Sequence, residues 1–280
     1  MKETKTLWHY TSIKNALNIL ANGEIWATHS EFLNDTFELR PLEYFLKYVR
    51  KKNYASVLGN RLIETLDFSY QRKVVAFYII SFSALSDAMP LWAAYANFSG
   101  CAIGFDKTKL FDFFNSCKGK PFEELNYYPA LDGLFRVNYP SSLKNGNYKP
   151  LERKIDEIYN QYKDDKKGII SGRNYLALNF CLATKNTTFR FEKEYRFVFM
   201  VNFNKIADTV LFNEGRPFIK IKLPKISECV SEIILFPNNI SNLTRKAFEF
   251  IKEYRSAIEN KEVCFKISTS KHETYRNPKV

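Results

Sequence analysis

A chain of 280 residues with 45% apolar and 26% charged side chains can bury a sizeable core under a solvated surface, which excludes a disordered or fibrous polymer. Its 42 Lys and Arg against 30 Asp and Glu give a formal net charge of +12, a balance that favours polyanionic partners and says nothing about fold. The longest apolar run, residues 74–85, falls short of the ~18 residues of a membrane helix, and the polar first residues carry no signal-peptide pattern, so a cytoplasmic protein with no membrane partner is expected.

No Gly/Pro/Ser-rich linker divides the chain, and residues 1–280 read as one domain. Thr6–Thr11 predicts a strand; Ser12 then caps a helix that Gly23 ends, and a second strand follows over Glu24–Thr28. The loop from His29 to Glu38 carries Asn34-Asp35 between aromatics. Residues 40–72 predict a helical insertion, and the β-branched and aromatic run at 74–83 a buried strand.

Ser86 to Tyr95 predicts a helix with polar cap residues and Pro90 in its first turn, on which Trp92 and Tyr95 share a face. A strand is expected over Gly100–Asp106, a helix over 107–117 and a strand over Leu134–Tyr139. A second helical insertion is expected near 150–185, broken at Lys163–Gly168. Later come a hairpin through Asn213–Arg216, a strand over Ser231–Phe236, an amphipathic helix over Ser241–Tyr254 with Leu243, Ala247, Phe250 and Ile251 inward, and a last strand over Val263–Ser268. Intermixed helices and strands of this kind predict an α+β fold around a largely antiparallel, split sheet.

Five scattered cysteines, odd in number and without C-x-x-C spacing, read as reduced and mostly buried thiols. The chain has no zinc spacing, no phosphate-cradling glycine loop and no nucleophile elbow. What remains is Phe189 to Val201. Read as one strand, its alternation puts Glu192, Glu194 and Arg196 on one face, with the two carboxylates about 7 Å apart. Such a pair serves either as a salt-bridge ladder or as two carboxylates whose like charges separate their proton affinities. His9, beside Trp8 and Tyr10, is either a core imidazole or a neutral ring that orients a ligand, with Thr11 and Ser12 offering hydroxyls. Trp26 is core or an aromatic platform; Asn34 and Asp35 are turn residues or ligands. Arg245, Lys246, Lys252 and Arg255 read as a solvated helix face.

Taken together, Leu7–Ser12, Asn22-Gly23, Ile25–Ala27, Phe32–Glu38, Ser81–Ser83, Leu91–Ala96, Gly100–Asp106 and Phe191–Arg196 resemble a widespread bacterial family of uncharacterised domains, over about residues 7 to 236. That family is similar to the ADP-ribosyltransferase superfold. The resemblance implies that His9 contacts the adenosine ribose of NAD, that Glu194 holds the nicotinamide ribose and stabilises an oxocarbenium-like transition state, and that Glu192 orients the acceptor. Trp26 stands where an aromatic, commonly tyrosine, stacks on nicotinamide. Tyr10, Thr11, Ser12, Asn34, Asp35, Trp92, Tyr95 and Arg196 complete the expected cofactor-binding set, with NAD as substrate and no metal. The acceptor implied is DNA, RNA or protein, in a toxin or phage-defence setting with an antitoxin or immunity partner. Other readings are a non-catalytic nucleotide or nucleic-acid binding module, and transfer of an RNA phosphate to NAD. On the transferase reading, Glu194→Gln abolishes NAD-dependent activity and leaves the fold intact.

Overall fold

The computed structural model describes residues 4–35, 40–52, 75–116, 128–129, 134–140, 148–161, 180–202, 210–237 and 241–272. Strand β1 (Thr6–Thr11) leads into helix α1 (Ile13–Asn22), whose first turn is capped by the Ser12 hydroxyl accepting from the Asn15 amide at 3.2 Å. Gly23, at φ 64°, ends the helix in the left-handed conformation that glycine adopts without a Cβ clash. Strand β2 (Glu24–His29) follows directly. Helix α2 (Arg40–Lys51) precedes strand β3 (Val75–Ser83); the predicted helix over 53–72 lies outside the described residues.

Helix α3 (Met89–Ala96) starts later than the sequence suggested. Its N-cap is Ala88 without a side-chain bond, because Asp87 is used elsewhere, accepting from Trp92 Nε1 at 2.6 Å, from Ser270 Oγ at 2.7 Å and from the Lys271 amide at 2.7 Å. Strand β4 (Cys101–Asp106), helix α4 (Lys107–Ser116), the two-residue strands β5 (Tyr128–Pro129) and β6 (Phe135–Arg136) and helix α5 (Lys149–Gln161) come next. The break expected at Lys163–Gly168 lies outside the described residues. Strand β7 (Glu194–Asn202), the hairpin β8 (Leu211–Asn213) and β9 (Arg216–Lys222), the short helix α6 (Ile226–Cys229), β10 (Val230–Leu235), α7 (Asn242–Glu259) and β11 (Lys266–Thr269) complete the order.

The strands form one sheet that is antiparallel except where β10 meets β11, so the fold is α+β as the alternation of elements predicted. The sheet splits at β3. One edge of β3 pairs with β7 along its whole length, from Val75↔Asn202 to Ser83↔Glu194. The other edge is shared: β1 meets it only at Trp8↔Ser83, and β2 only at Thr28↔Ile79 and His29↔Tyr78. From there β1 runs on to β4, β10 and β11, while β2 runs on to β9 and β8. Between these two arms, Ile80, Ser81 and Phe82 have no strand partner on that edge among the described residues, and a wedge opens there.

Each sheet face is closed separately. Alternate residues Ala76, Tyr78, Ile80 and Phe82 of β3 join Phe197, Phe199 and Val201 of β7 in the main core, against α1, α4 and α7, with Phe114 stacked on Phe197 at 4.1 Å. On the opposite face, Phe77, Ile79 and Val198 pack under α2 and α5, and Trp8, Tyr10, Trp92 and Phe236 pack under α3. The wedge lies between these two smaller clusters. Helix α7 turns Phe248 and Ile251 inward, and Leu243 and Phe250 are exposed, which corrects the inward face read from the sequence. Several helical phases fit a stripe as apolar as this one, and contact with α1 selected among them. Of its basic residues, Arg245 bonds Thr269, Lys252 pairs with Glu249 and Arg255 pairs with Glu259, so they mainly tie down the helix.

Cys101, Cys181 and Cys229 are free thiols buried in these clusters, Cys264 is free and exposed, and Cys117 lies outside the described residues. No helix among the described residues is long and apolar enough to cross a membrane.

Candidate functional site

The wedge is a cleft with a cavity of about 250 Å³. Its walls come from β1 (Trp8, His9, Tyr10), β2 (Trp26, Thr28) and α3 (Leu91, Ala94, Tyr95), and its floor from β3 (Ile79, Ser81, Phe82, Ser83) together with Lys185, Glu192 and Glu194.

The floor begins with a departure from the expected strand. Thr187–Glu192 is a 3-10 turn, opened by the Asn186 side chain accepting from the Thr188 amide at 3.0 Å, and Lys193 closes it at φ 47°. Only at Glu194 does the strand start. Glu192 therefore does not reach the cleft by strand alternation; the left-handed Lys193 swings it there. The Ser83 hydroxyl fixes this bend by donating to the Glu192 carbonyl at 2.6 Å, and the Ala84 amide donates to the Lys193 carbonyl at 3.1 Å.

Both carboxylates then meet on one cation. Lys185 Nζ lies 2.8 Å from Glu192 Oε2 and 3.2 Å from Glu194 Oε2. Arg196, fully buried, clamps Glu194 with Nε at 3.2 Å from Oε1 and a terminal nitrogen at 2.9 Å from Oε2. Its other terminal nitrogen donates to the Leu182 carbonyl at 3.1 Å. Ser81 Oγ donates to Glu194 Oε1 at 2.6 Å, and the Tyr95 hydroxyl donates to Glu192 Oε1 at 2.6 Å. Two carboxylates, one ammonium and one guanidinium thus form a buried set of zero net charge, in which each carboxylate oxygen has at least one donor.

The environments push the two carboxylates apart in proton affinity. Burial raises the pKa of Glu192, and Lys185 only partly offsets it. Burial acts on Glu194 in the same sense but is outweighed by Arg196 and then Lys185, which hold its carboxyl well below the usual carboxylate range. Tyr95 and Tyr139 stay protonated because burial raises both phenols; the Tyr139 oxygen accepts from the Glu194 amide at 3.0 Å.

His9 stands on the opposite wall. Its Nδ1 lies 3.1 Å from the Ser81 carbonyl, on the stretch of β3 that the split leaves without a strand partner. A carbonyl can only accept, so Nδ1 carries the proton. Burial lowers the pKa of the ring, so it is neutral and Nε2 offers a lone pair suited to a hydroxyl donor. Trp26, half-buried, stacks on Phe218 with centroids 4.2 Å apart and also lines the cleft.

The cleft therefore gathers His9, Tyr10, Trp26, Asn34, Tyr95, Glu192 and Glu194 from the expected set. Tyr10 is tied by its hydroxyl, which donates to the Leu85 carbonyl at 2.9 Å. The other five do not line it. Thr11 is buried, Ser12 is the cap of α1, and Asp35 is buried. Trp92 is fully buried against Tyr10 and Phe236, so it and Tyr95 do not present a shared ligand face. Arg196 lies behind Glu194 as its counterion. Sequence reasoning missed Lys185, Tyr139 and Arg216, and it quoted Ser81 only as part of a motif. Nothing local distinguishes Lys185; only the turn at Thr187–Lys193 folds both glutamates back onto it.

Among the described residues, no group of three His, Cys, Asp or Glu side chains could hold a metal ion. No curated protein and no solved structure matches the chain. Residues 91–197, which include Tyr95, Lys185, Glu192, Glu194 and Arg196, match the family model described as protein of unknown function (DUF2971), so the segment that supplies the cleft's lysine and both carboxylates is similar to an uncharacterised domain family.

Proposed function

We propose that the cleft binds NAD and transfers its ADP-ribosyl group, as the resemblance to the ADP-ribosyltransferase superfold implies. The observation that carries this reading is the pair of carboxylates at the foot of a split sheet, one held ionised and the other raised in proton affinity, facing a neutral histidine. Divergent affinities in one carboxylate pair assign distinct roles. Glu194, fixed as an anion, stabilises the positive charge that develops at the ribose C1′ as the C1′–N bond to nicotinamide breaks and the electron pair leaves with the ring. Glu192 takes the proton of the attacking acceptor group as the new C1′ bond forms, and passes it to solvent. His9 Nε2 accepts from a ribose hydroxyl, and Trp26 offers a face to a planar ring. DNA, RNA and protein are the acceptor classes to test, and a role in toxicity or phage defence follows only if one of them is modified.

One observation favours a second reading. Glu194 is held by Ser81, Lys185 and two nitrogens of Arg196, a degree of saturation that suits a structural anchor in a non-catalytic nucleotide-binding module. Nicotinamide release from NAD, measured with DNA, RNA or cell lysate added, separates the two. Release that needs one added polymer and vanishes in Glu192→Gln is expected; NAD binding without release under any condition selects the binding module.

A further inference from the structure

The charges lining the cleft balance, with one exception. Glu194 is matched by Arg196 behind it, Glu192 by Lys185, and His9 is neutral. Arg216 also lines the cleft; its side chain is exposed, and no hydrogen bond or ion pair to a described residue holds it.

The backbone fixes where this guanidinium stands. Arg216 is the first residue of β9, paired with Asn213 across the two-residue turn Glu214-Gly215, whose φ values of 50° and 77° make the tight hairpin form that follows strand twist. Phe218, two residues on and therefore on the same strand face, carries the Trp26 ring stacked upon it. An unpaired guanidinium is thus held at the mouth beside an aromatic slab, while the buried carboxylates lie at the floor. The next cation of the same face, Lys220, is already paired with Glu24 at 3.3 Å and does not line the cleft.

We propose that Arg216 is the phosphate anchor of the cleft, binding the phosphate group of a ligand whose ring and sugar lie deeper, between Trp26, His9 and the glutamate pair. A guanidinium fork matches phosphate oxygens two at a time, and a site with one uncompensated positive charge selects an anionic ligand over its uncharged counterpart. The inference rests on the reading of the cleft as a nucleotide site. The phosphate is carried by a dinucleotide or by a nucleic-acid backbone.

Calorimetric titration of the full chain with NAD, with nicotinamide riboside, which lacks phosphate, and with a short single-stranded RNA decides it. For Arg216→Ala, NAD affinity is expected to fall roughly tenfold to hundredfold, the loss of a charge-assisted contact, while riboside affinity is unchanged. Lys220→Ala, which removes a charge from the same face outside the cleft, is expected to bind NAD as the wild type does. Equal NAD binding by wild type and Arg216→Ala, or an equal loss in Lys220→Ala, overturns the assignment of Arg216 and leaves the NAD reading standing. If the wild type binds RNA but neither NAD nor the riboside, and Arg216→Ala alone weakens RNA binding, Arg216 remains the phosphate anchor and the NAD reading falls. Absence of binding by all three ligands overturns both.

Discussion

Glu192 and Glu194 carry the same side chain and differ in their neighbours, and the neighbours decide what each can be replaced by. Arg196 is fully buried with Glu194 as its counterion, so Glu194→Gln leaves a buried guanidinium uncompensated, at a cost of about 3–5 kcal/mol. Glu192→Gln leaves Lys185 still paired with Glu194 and costs clearly less. The expectation that Glu194→Gln leaves the fold intact therefore conflicts with this geometry, and Glu192→Gln is the cleaner functional test. Urea unfolding of both variants checks this; equal destabilisation would show that Arg196 does not depend on Glu194.

His9 gives a pH signature at the same scale. Its pKa is below the ordinary 6.5 in the folded protein, so the unfolded chain binds the proton first and stability falls as pH drops through that value, levelling off below the native pKa. Glu194, also depressed, adds a further loss at lower pH, and Glu192, raised, acts in the opposite sense. In His9→Gln the last two effects remain and the first disappears. The difference in unfolding free energy between wild type and His9→Gln is expected to shrink as pH falls from 7 to 5; a constant difference would mean that the ring is not held neutral.

The element that matters most is the 3-10 turn ending at Lys193. A non-glycine residue at φ 47° carries a left-handed cost, and a β-branched one raises it further. Lys193→Gly is expected to keep stability and cleft geometry, whereas Lys193→Val should lower stability by about 1–2 kcal/mol and weaken whatever Glu192 does. Equal thermal stability of the two variants would remove the turn from the account. This turn is also where strand reasoning failed. Phe189 to Val201 has the composition of a strand throughout, but the local Asn186 cap and the long-range Ser83 bond to the Glu192 carbonyl outweigh propensity. The error happens to preserve the conclusion that both carboxylates converge, for a different reason.

At the scale of the molecule, the described strands from Thr6 to Thr269 join one sheet, and among them its arms meet only at β3. A single cooperative thermal transition, coincident by fluorescence and circular dichroism, is expected; two separated transitions would divide the chain at the split. The sheet's continuity and the wedge within it have one cause. Strands β1 and β2 each pair with β3 over only one or two residues before twisting toward their own partners.

The sequence by itself determined the local elements: alternation and β-branched runs set β1, β2, β3 and the hairpin, and Ser12, Gly23 and Ser241 set helix ends, because these depend on neighbours within a few residues. It also exposed His9, Trp26, Glu192 and Glu194 as residues with chemistry to offer. Only the tertiary structure decided which of them meet, that Trp92 belongs to the core, that Lys185 and Arg196 divide the proton affinities of the glutamates, and that Arg216 has no counterion among the described residues. Those outcomes depend on burial and on polar and charged groups brought together from residues 9, 81, 139, 185, 194 and 216, and desolvation has no signature in the order of amino acids.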